Sequence, residues 1–120
     1  MRIKGFSAAA AALALITVAF TPSAAVAESC PRGFICFYLD YNQKGEMSFK
    51  IDRDWDGRVY ARSYFNNAYQ QTGFDHVDLT VQTYEDKICA HYGDPEGKGN
   101  IAAPPVSILA VTKVKWRGEC

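Results

Sequence analysis

Strict alternation of apolar and polar side chains is the feature that most restricts how this chain can fold. The pattern occurs in the segments 46–52, 77–81 and 113–117. Its apolar positions are Met47, Phe49, Ile51, Val77, Leu79, Val81, Val114 and Trp116. Because successive side chains of a strand point to opposite faces, each segment predicts a strand with one buried and one solvated face.

Two further segments, 34–39 and 108–111, are continuously apolar or aromatic and predict more deeply buried strands. Turn residues separate the strands at spacings near ten residues, in 31–33, 42–45, 54–57 and 93–99. The segment 58–69 predicts at most one short helical turn. Short strands with regular turns predict an all-β domain, an antiparallel sandwich or barrel.

The sequence also contains a weak internal repeat. Phe37–Asp40 and Thr83–Asp86 each follow an apolar run and precede a turn that contains glycine. Two related four-strand units packed face to face would explain this repeat. A rival alignment pairs Ile35-Cys36 with Ile88-Cys89, so the register stays open.

The first 27 residues have the three-part layout of a secretory signal peptide. Arg2 and Lys4 precede the apolar run 8–20, and Ala25-Val26-Ala27 is a small-x-small cleavage signature. The run is shorter than the roughly 20 residues of a membrane span. We therefore predict residues 1–27 as a signal peptide of bacterial type, with cleavage after Ala27 and a secreted, extracellular product.

The remaining residues, 28–120, form a chain too short to enclose two separate cores, so one domain is expected. This part contains 11 Lys and Arg against 13 Asp and Glu side chains, a net charge of −2. With no basic stripe, neither nucleic acid nor an anionic membrane is expected as a partner. The composition is typical of a monomer that binds other proteins.

All four cysteines lie in this part of the chain and predict two disulfides in an exported protein. Four cysteines allow three pairings, and the sequence alone does not choose among them. We prefer Cys30–Cys36, which closes a short Pro-Gly loop, together with Cys89–Cys120, which ties the chain end to the second half. Loop entropy gives contributions of roughly 2 and 4 kcal/mol.

Catalysis and metal binding are not expected. The cysteines are not in close pairs and the chain has only two histidines, which disfavours a zinc site. His76 lies between Asp75 and Val77, but no nucleophile motif accompanies it. We therefore predict a non-enzyme without a cofactor and without a metal.

The segment Cys30–Tyr38, with its opening C-P-x-G-x-x-C and aromatic pair, resembles the secreted bacterial peptidase inhibitors of family I36. The segments Ser63–Asn67 and Val81–Asp86 add looser matches. The resemblance implies a single βγ-crystallin-like Greek-key β-sandwich over residues 28–120. It also implies inhibition of an extracellular protease, either a metallo- or a serine endopeptidase.

By the same resemblance, the inhibitor contact loop would be Ile88, Cys89, Ala90, His91 and Tyr92. The contact bond would be Cys89–Ala90, and Tyr92 would anchor the partner. A second interpretation makes Ile88-Cys89 a buried strand with a structural disulfide, and places Tyr92 in the core.

Calcium binding is the main alternative function, because crystallin-type domains often hold Ca²⁺ through an Asn pair followed by a hydroxyl residue. Here Asn66-Asn67 is followed by Gln70-Gln71, which supplies only neutral oxygens, whereas Ca²⁺ favours carboxylates. We therefore prefer a simple turn at this segment. A calcium-binding structural module and a crystallin-like secreted toxin remain as alternatives.

Overall fold

The computed structural model describes residues 28–101 and 108–120, so the predicted signal peptide lies outside the described residues. Eight strands and one short 3-10 turn, Tyr41–Gln43, make up the secondary structure of these ranges. The strands are β1 Ile35–Tyr38, β2 Met47–Ile51, β3 Trp55–Ala61, β4 Ser63–Asn66, β5 His76–Val81, β6 Ile88–Ala90, β7 Lys98–Asn100 and β8 Leu109–Arg117. Within them, no helix is long and apolar enough to cross a membrane.

The strands form two four-stranded antiparallel sheets. The first has the order β2-β1-β4-β7 and the second the order β3-β8-β5-β6. The first half of the chain contains β1–β4 and the second half contains β5–β8, and the two halves have the same strand arrangement. In each half the third strand, β3 or β7, lies at the edge of the sheet that the other half forms. This confirms the all-β, two-sheet prediction and matches the expected pair of four-strand units. The Greek-key connection stays a prediction.

The core contains the inward side chains of both sheets. Val77 and Leu79 are fully buried and Val81 is 2% exposed, as their alternation predicts. All four residues of β1 are buried, which agrees with its continuously apolar sequence. The remaining buried members of the core are Ala61, Tyr64, Ala90, Ile101, Val111 and Val114.

The segment 54–57 was predicted as a turn, and this was wrong, because β3 begins at Trp55. The indole of Trp55 lies directly against Gly57, at a place that any Cβ would occupy, so glycine serves close packing here. An irregularity in the pairing of β3 with β8 between Asp56 and Val59 accommodates Gly57 and Arg58. The segment 58–69, for which at most one short helical turn was predicted, is mostly covered by β3 and β4.

Two disulfides link Cys30 to Cys36 and Cys89 to Cys120, and the described residues contain no free cysteine. The Cα atoms are 5.8 Å and 6.2 Å apart, within the usual range for disulfides. The first bond closes the turn before β1, and the second joins β6 to the residues that follow β8. The pairing is the one preferred from the sequence.

Candidate functional site

The five residues proposed as a contact loop lie on and just after an edge strand. Ile88–Ala90 is β6, the last strand of the second sheet, and His91 and Tyr92 follow it. Ala90 is fully buried and is paired with Val77 of β5, whereas His91 is exposed. We call Ile88–Tyr92 the contact edge. Its first part has the strand conformation of the second interpretation.

Side-chain directions on β6 follow from its pairing with β5. Ile88 and Ala90 lie opposite Leu79 and Val77, which belong to the core, so these two side chains point inward. Cys89 lies opposite Asp78 on the outer face. A side chain at Ala90 therefore cannot enter a protease pocket while β6 stays paired.

The outer face of β6 is tied to the end of the chain. Cys89 is joined to Cys120, and Arg117 of β8 donates to the Asp78 carboxylate at 3.1 Å. Asp78, Cys89 and Cys120 are the one cluster of potential metal ligands within the described ranges. Because both sulfurs are consumed in a disulfide, these residues do not make a metal site.

The inner end of the contact edge is fixed by Asn66, which is fully buried at the end of β4. Its amide nitrogen donates to the Asp75 carbonyl at 2.9 Å and to the Ala90 carbonyl at 3.2 Å. Its side-chain oxygen accepts from the backbone of Ala68 at 3.2 Å. These bonds hold the segment after β4 against the residues around β5 and β6.

The turn that follows the contact edge also closes onto Asn66. The Gly93 N–H donates to the Asn66 carbonyl at 3.0 Å, and the Asn66 N–H donates to the Gly97 carbonyl at 2.8 Å. Gly97 approaches so closely that an added Cβ would lie 2.5 Å from the Gly93 carbonyl oxygen and 2.6 Å from that of Asn66. The contact edge is therefore held at Ala90 and in the turn that follows Tyr92.

A chain of three polar side chains runs from the interior to the contact edge. Asp75 Oδ1 lies 2.6 Å from His76 Nδ1, and His76 Nε2 lies 3.0 Å from His91 Nδ1. Asp75 and His76 are 5% and 3% exposed, whereas His91 is exposed. The ring of Tyr92 packs edge-on against His76, with centroids 5.7 Å apart. Sequence reasoning noted the Asp75-His76 pair but could not connect it to His91.

A shallow surface depression of about 370 Å³ lies beside the two histidines. His76, His91 and Tyr92 form one side of it, and the exposed carboxylates of Glu96 and Glu119 lie along the rest. The predicted contact residues His91 and Tyr92 thus share a surface with two acidic groups that sequence analysis did not single out.

A second depression, of about 290 Å³, lies between the turn before β3 and the segment after β4. Tyr69 and Phe74, the two most exposed large apolar side chains described, line it together with Trp116. Trp116 Nε1 is buried without a hydrogen-bond partner among the described residues. We call this the aromatic depression. Sequence analysis missed it because its walls come from distant segments.

The fold defines a small all-β protein of two antiparallel sheets with two disulfides. The model of peptidase inhibitor family I36 matches residues 23–103, two thirds of the chain, and the chain therefore belongs to that family. Comparison with curated proteins and with solved structures gives no match. Membership confirms the family suggested by the sequence. It makes the protein a non-enzyme inhibitor whose partner is a peptidase.

Proposed function

We propose that the protein is a secreted inhibitor of an extracellular metallo- or serine endopeptidase, and that it binds the enzyme through the contact edge. The observation that carries the proposal is the position of β6 at a sheet edge, tied by a disulfide, in a member of a peptidase inhibitor family. The secreted location rests on the signal-peptide layout of residues 1–27.

An edge strand offers the backbone groups that an extended partner chain requires. Among the described residues no strand pairs with the outer side of β6, so this side can accept a further strand. The Ala90 carbonyl is the exception, because it already accepts from the Asn66 amide. Recognition by strand addition obtains affinity from such groups and specificity from alternate side chains. The peptidase cleft would then pair with β6 much as it pairs with an extended substrate.

Rigidity favours tight binding, because a preorganised segment loses little conformational entropy when it is bound. Cys89 is held by its disulfide, Ala90 by the Asn66 amide, and His91 by the ring of His76. A flexible substrate of the same sequence would have to order all of these residues on binding.

Affinity from side chains must come from the end of the contact edge. Ala90 is buried and small, so it cannot act as the pocket-filling residue that the resemblance implies. Tyr92 is half-buried and lies beside the exposed imidazole of His91. Because tyrosine is common among residues that dominate interface energies, we assign the anchor role to Tyr92.

Titration of the purified protein against a thermolysin-like metallopeptidase and a subtilisin-like serine peptidase tests this function. We expect dose-dependent inhibition of at least one enzyme, and Tyr92→Ala is expected to weaken it roughly tenfold or more. Tyr60→Ala is the matched control, because Tyr60 is 48% exposed on β3 at the opposite edge of the same sheet. Undiminished activity of both enzymes at micromolar protein would contradict the proposal.

A further inference from the structure

The aromatic depression combines exposed rings with hydrogen-bonding groups on one concave surface. Phe74 and Tyr69 are 64% and 60% exposed, and Trp116 lines the depression with them. The polar side chains of its lining are Asp52, Arg53, Asp54 and Gln71. It shares no lining residue with the depression beside the two histidines, so it is a separate feature of the surface.

Two neighbours hold the ring of Tyr69 in place. A Cβ added at Gly33 would lie 3.1 Å from Tyr69 Cε2, so the edge of the ring packs directly on the backbone of Gly33. The guanidinium carbon of Arg32 lies 5.3 Å from the centroid of the same ring, within the range of a cation–π interaction. The ring is therefore supported while most of its surface stays open to solvent. A supported ring loses little conformational entropy when a ligand packs on it.

The polar side chains of the lining keep unused hydrogen-bonding capacity. Asp54 Oδ1 accepts from the Trp116 backbone N–H at 2.8 Å, and Asp52 Oδ1 accepts from Arg53 Nε at 2.8 Å. The second oxygen of each carboxylate and the terminal N–H groups of Arg53 have no partner among the described residues. The Gln71 side chain makes no hydrogen bond within the same ranges, because only its backbone N–H is bonded.

Charge and size indicate a small neutral ligand. The carboxylates of Asp52 and Asp54 are balanced by the guanidinium groups of Arg53 and Arg32, so the surface favours neither an anion nor a cation. The volume of about 290 Å³ is at the lower end of the range for small-molecule sites. A stable protein partner would instead cover about 800 Å² of each surface.

We propose that the aromatic depression binds carbohydrate, namely the neutral pyranose units of a β-1,4-linked chain. The faces of such a ring carry C–H groups, which pack on aromatic side chains. Its edge carries hydroxyls, which donate to carboxylates and accept from guanidinium and amide N–H groups. The depression supplies both kinds of group. The site does not rest on the proposed function, because the contact edge includes none of its residues.

Titration with cellohexaose and, separately, with chitohexaose tests binding in ¹H–¹⁵N and aromatic ¹H–¹³C spectra. We expect the resonances of Tyr69, Phe74 and Trp116 to move with one shared Kd of roughly 1 mM, because a single pyranose ring has few atoms from which to gain affinity. Sorbitol is the control ligand, since it offers hydroxyls without a rigid apolar face, and it should leave these resonances in place. The proposal is overturned if neither hexasaccharide moves them at about 10 mM, or if sorbitol moves them equally.

Replacement of Phe74 tests the stacking contact. Phe74→Ala is expected to raise the Kd roughly fivefold or more, whereas Phe74→Tyr retains the ring and should bind within about twofold of the unmodified protein. Tyr60→Ala is the matched control, because Tyr60 is an exposed aromatic residue outside the depression and should not affect the Kd. Urea unfolding checks that all three variants fold. Equal losses from Phe74→Ala and Tyr60→Ala would contradict a carbohydrate site here.

Contact between the depression and a peptidase is the competing outcome. Inhibition is therefore measured with Phe74→Ala and with the unmodified protein saturated by hexasaccharide, and we expect both to inhibit as the unmodified protein alone does. Weaker inhibition by Phe74→Ala, without binding of either hexasaccharide, would make the depression a protein contact and overturn the proposal. If the unmodified protein slows neither peptidase, the proposed function fails, and the hexasaccharide titration still decides carbohydrate binding.

Discussion

Asn66 is a fully buried amide that links the end of β4 to the residues around β5 and β6. Its side chain makes three hydrogen bonds, to the backbone of Asp75, Ala90 and Ala68. A buried polar group is costly unless its partners are complete, and here they are. One residue therefore fixes the loop after β4 and the inner end of the contact edge.

Replacing Asn66 with alanine is expected to destabilise the protein by about 3 kcal/mol. The substitution removes three buried hydrogen bonds, and the carbonyls of Asp75 and Ala90 lose the amide that donates to them. Urea unfolding measures the change. Gln70→Ala is the control, since Gln70 is exposed on the same loop and should change stability by less than about 0.5 kcal/mol. Equal effects of the two substitutions would contradict the role of Asn66.

Tyr64 makes stability depend on alkaline pH. Burial raises the pKa of Tyr64 above its ordinary value of 10.0, so the folded state retains the phenol proton where the unfolded chain loses it. The contribution is fully present below the unfolded pKa and is lost as pH rises through the folded pKa. Burial, with a smaller effect of Glu28, raises the pKa of Tyr38 in the same direction.

We therefore expect the free energy of unfolding to fall as pH rises above about 10, and Tyr64→Phe to make the fall less steep. Urea unfolding between about pH 8 and 11 measures the slope. Tyr60→Phe provides the control, because Tyr60 is largely exposed. A slope that Tyr64→Phe leaves unchanged would show that other groups cause the alkaline loss.

At the residue scale, alternation predicted which side chains face the core, although Phe49 and Ile51 of the alternating segment 46–52 are only partly buried against it. Val77, Leu79 and Val81 are core residues as expected. The sequence could not predict the partners of Asn66 or of His76, because those hydrogen bonds join residues up to 24 positions apart and exist only once the sheets are assembled. Composition and periodicity carry no information on such pairings.

At the scale of elements, β6 is where the sequence was least informative. It has three residues, Ile88–Ala90, which are too few for alternation to be recognised. Resemblance suggested a loop at this place, whereas pairing with β5 makes it an edge strand. The sequence left two registers open for the internal repeat, one that aligns Phe37–Asp40 with Thr83–Asp86 and one that aligns Ile35-Cys36 with Ile88-Cys89. In the sheets the counterpart of β1 is β5, which neither alignment pairs with it.

The turn after the contact edge depends on close backbone approach at Gly97. A Cβ there would overlap the carbonyls of Gly93 and Asn66, so Gly97→Ala is expected to cost more than about 2 kcal/mol. Gly73→Ala isolates the conformational cost, because Gly73 has a φ of +92° and open space around it. We expect roughly 1 kcal/mol there. Thermal unfolding of both variants checks the order, and the reverse order would contradict tight packing at Gly97.

At the scale of the whole molecule, an exchange of strands between the two halves of the chain holds the domain together. β3 belongs to the first half of the chain but pairs with β8, and β7 belongs to the second half but pairs with β4. Neither half can complete its sheet alone, so we expect the domain to unfold as one cooperative unit. The number of strands and their antiparallel order could be approached from alternation, but the exchange of third strands leaves no local signal in the sequence.

The two disulfides should contribute unequally to the stability of this unit. They span 6 and 31 residues, and loop entropy gives about 2 kcal/mol for Cys30–Cys36 and about 4 kcal/mol for Cys89–Cys120. Paired alanine replacements, C30A with C36A and C89A with C120A, followed by chemical denaturation, measure both values. The second pair should also weaken inhibition, because it releases β6. Stronger loss of inhibition from the first pair would contradict a contact at β6.

The central claim is that the peptidase binds the contact edge. Hydrogen exchange, measured on the protein alone and on its complex with a peptidase that it inhibits, tests this claim most directly. Backbone amides of Ile88–Tyr92 are expected to become strongly protected in the complex, while those around Phe74 in the aromatic depression exchange as before. Protection confined to the aromatic depression, with the contact edge unchanged, would contradict the account.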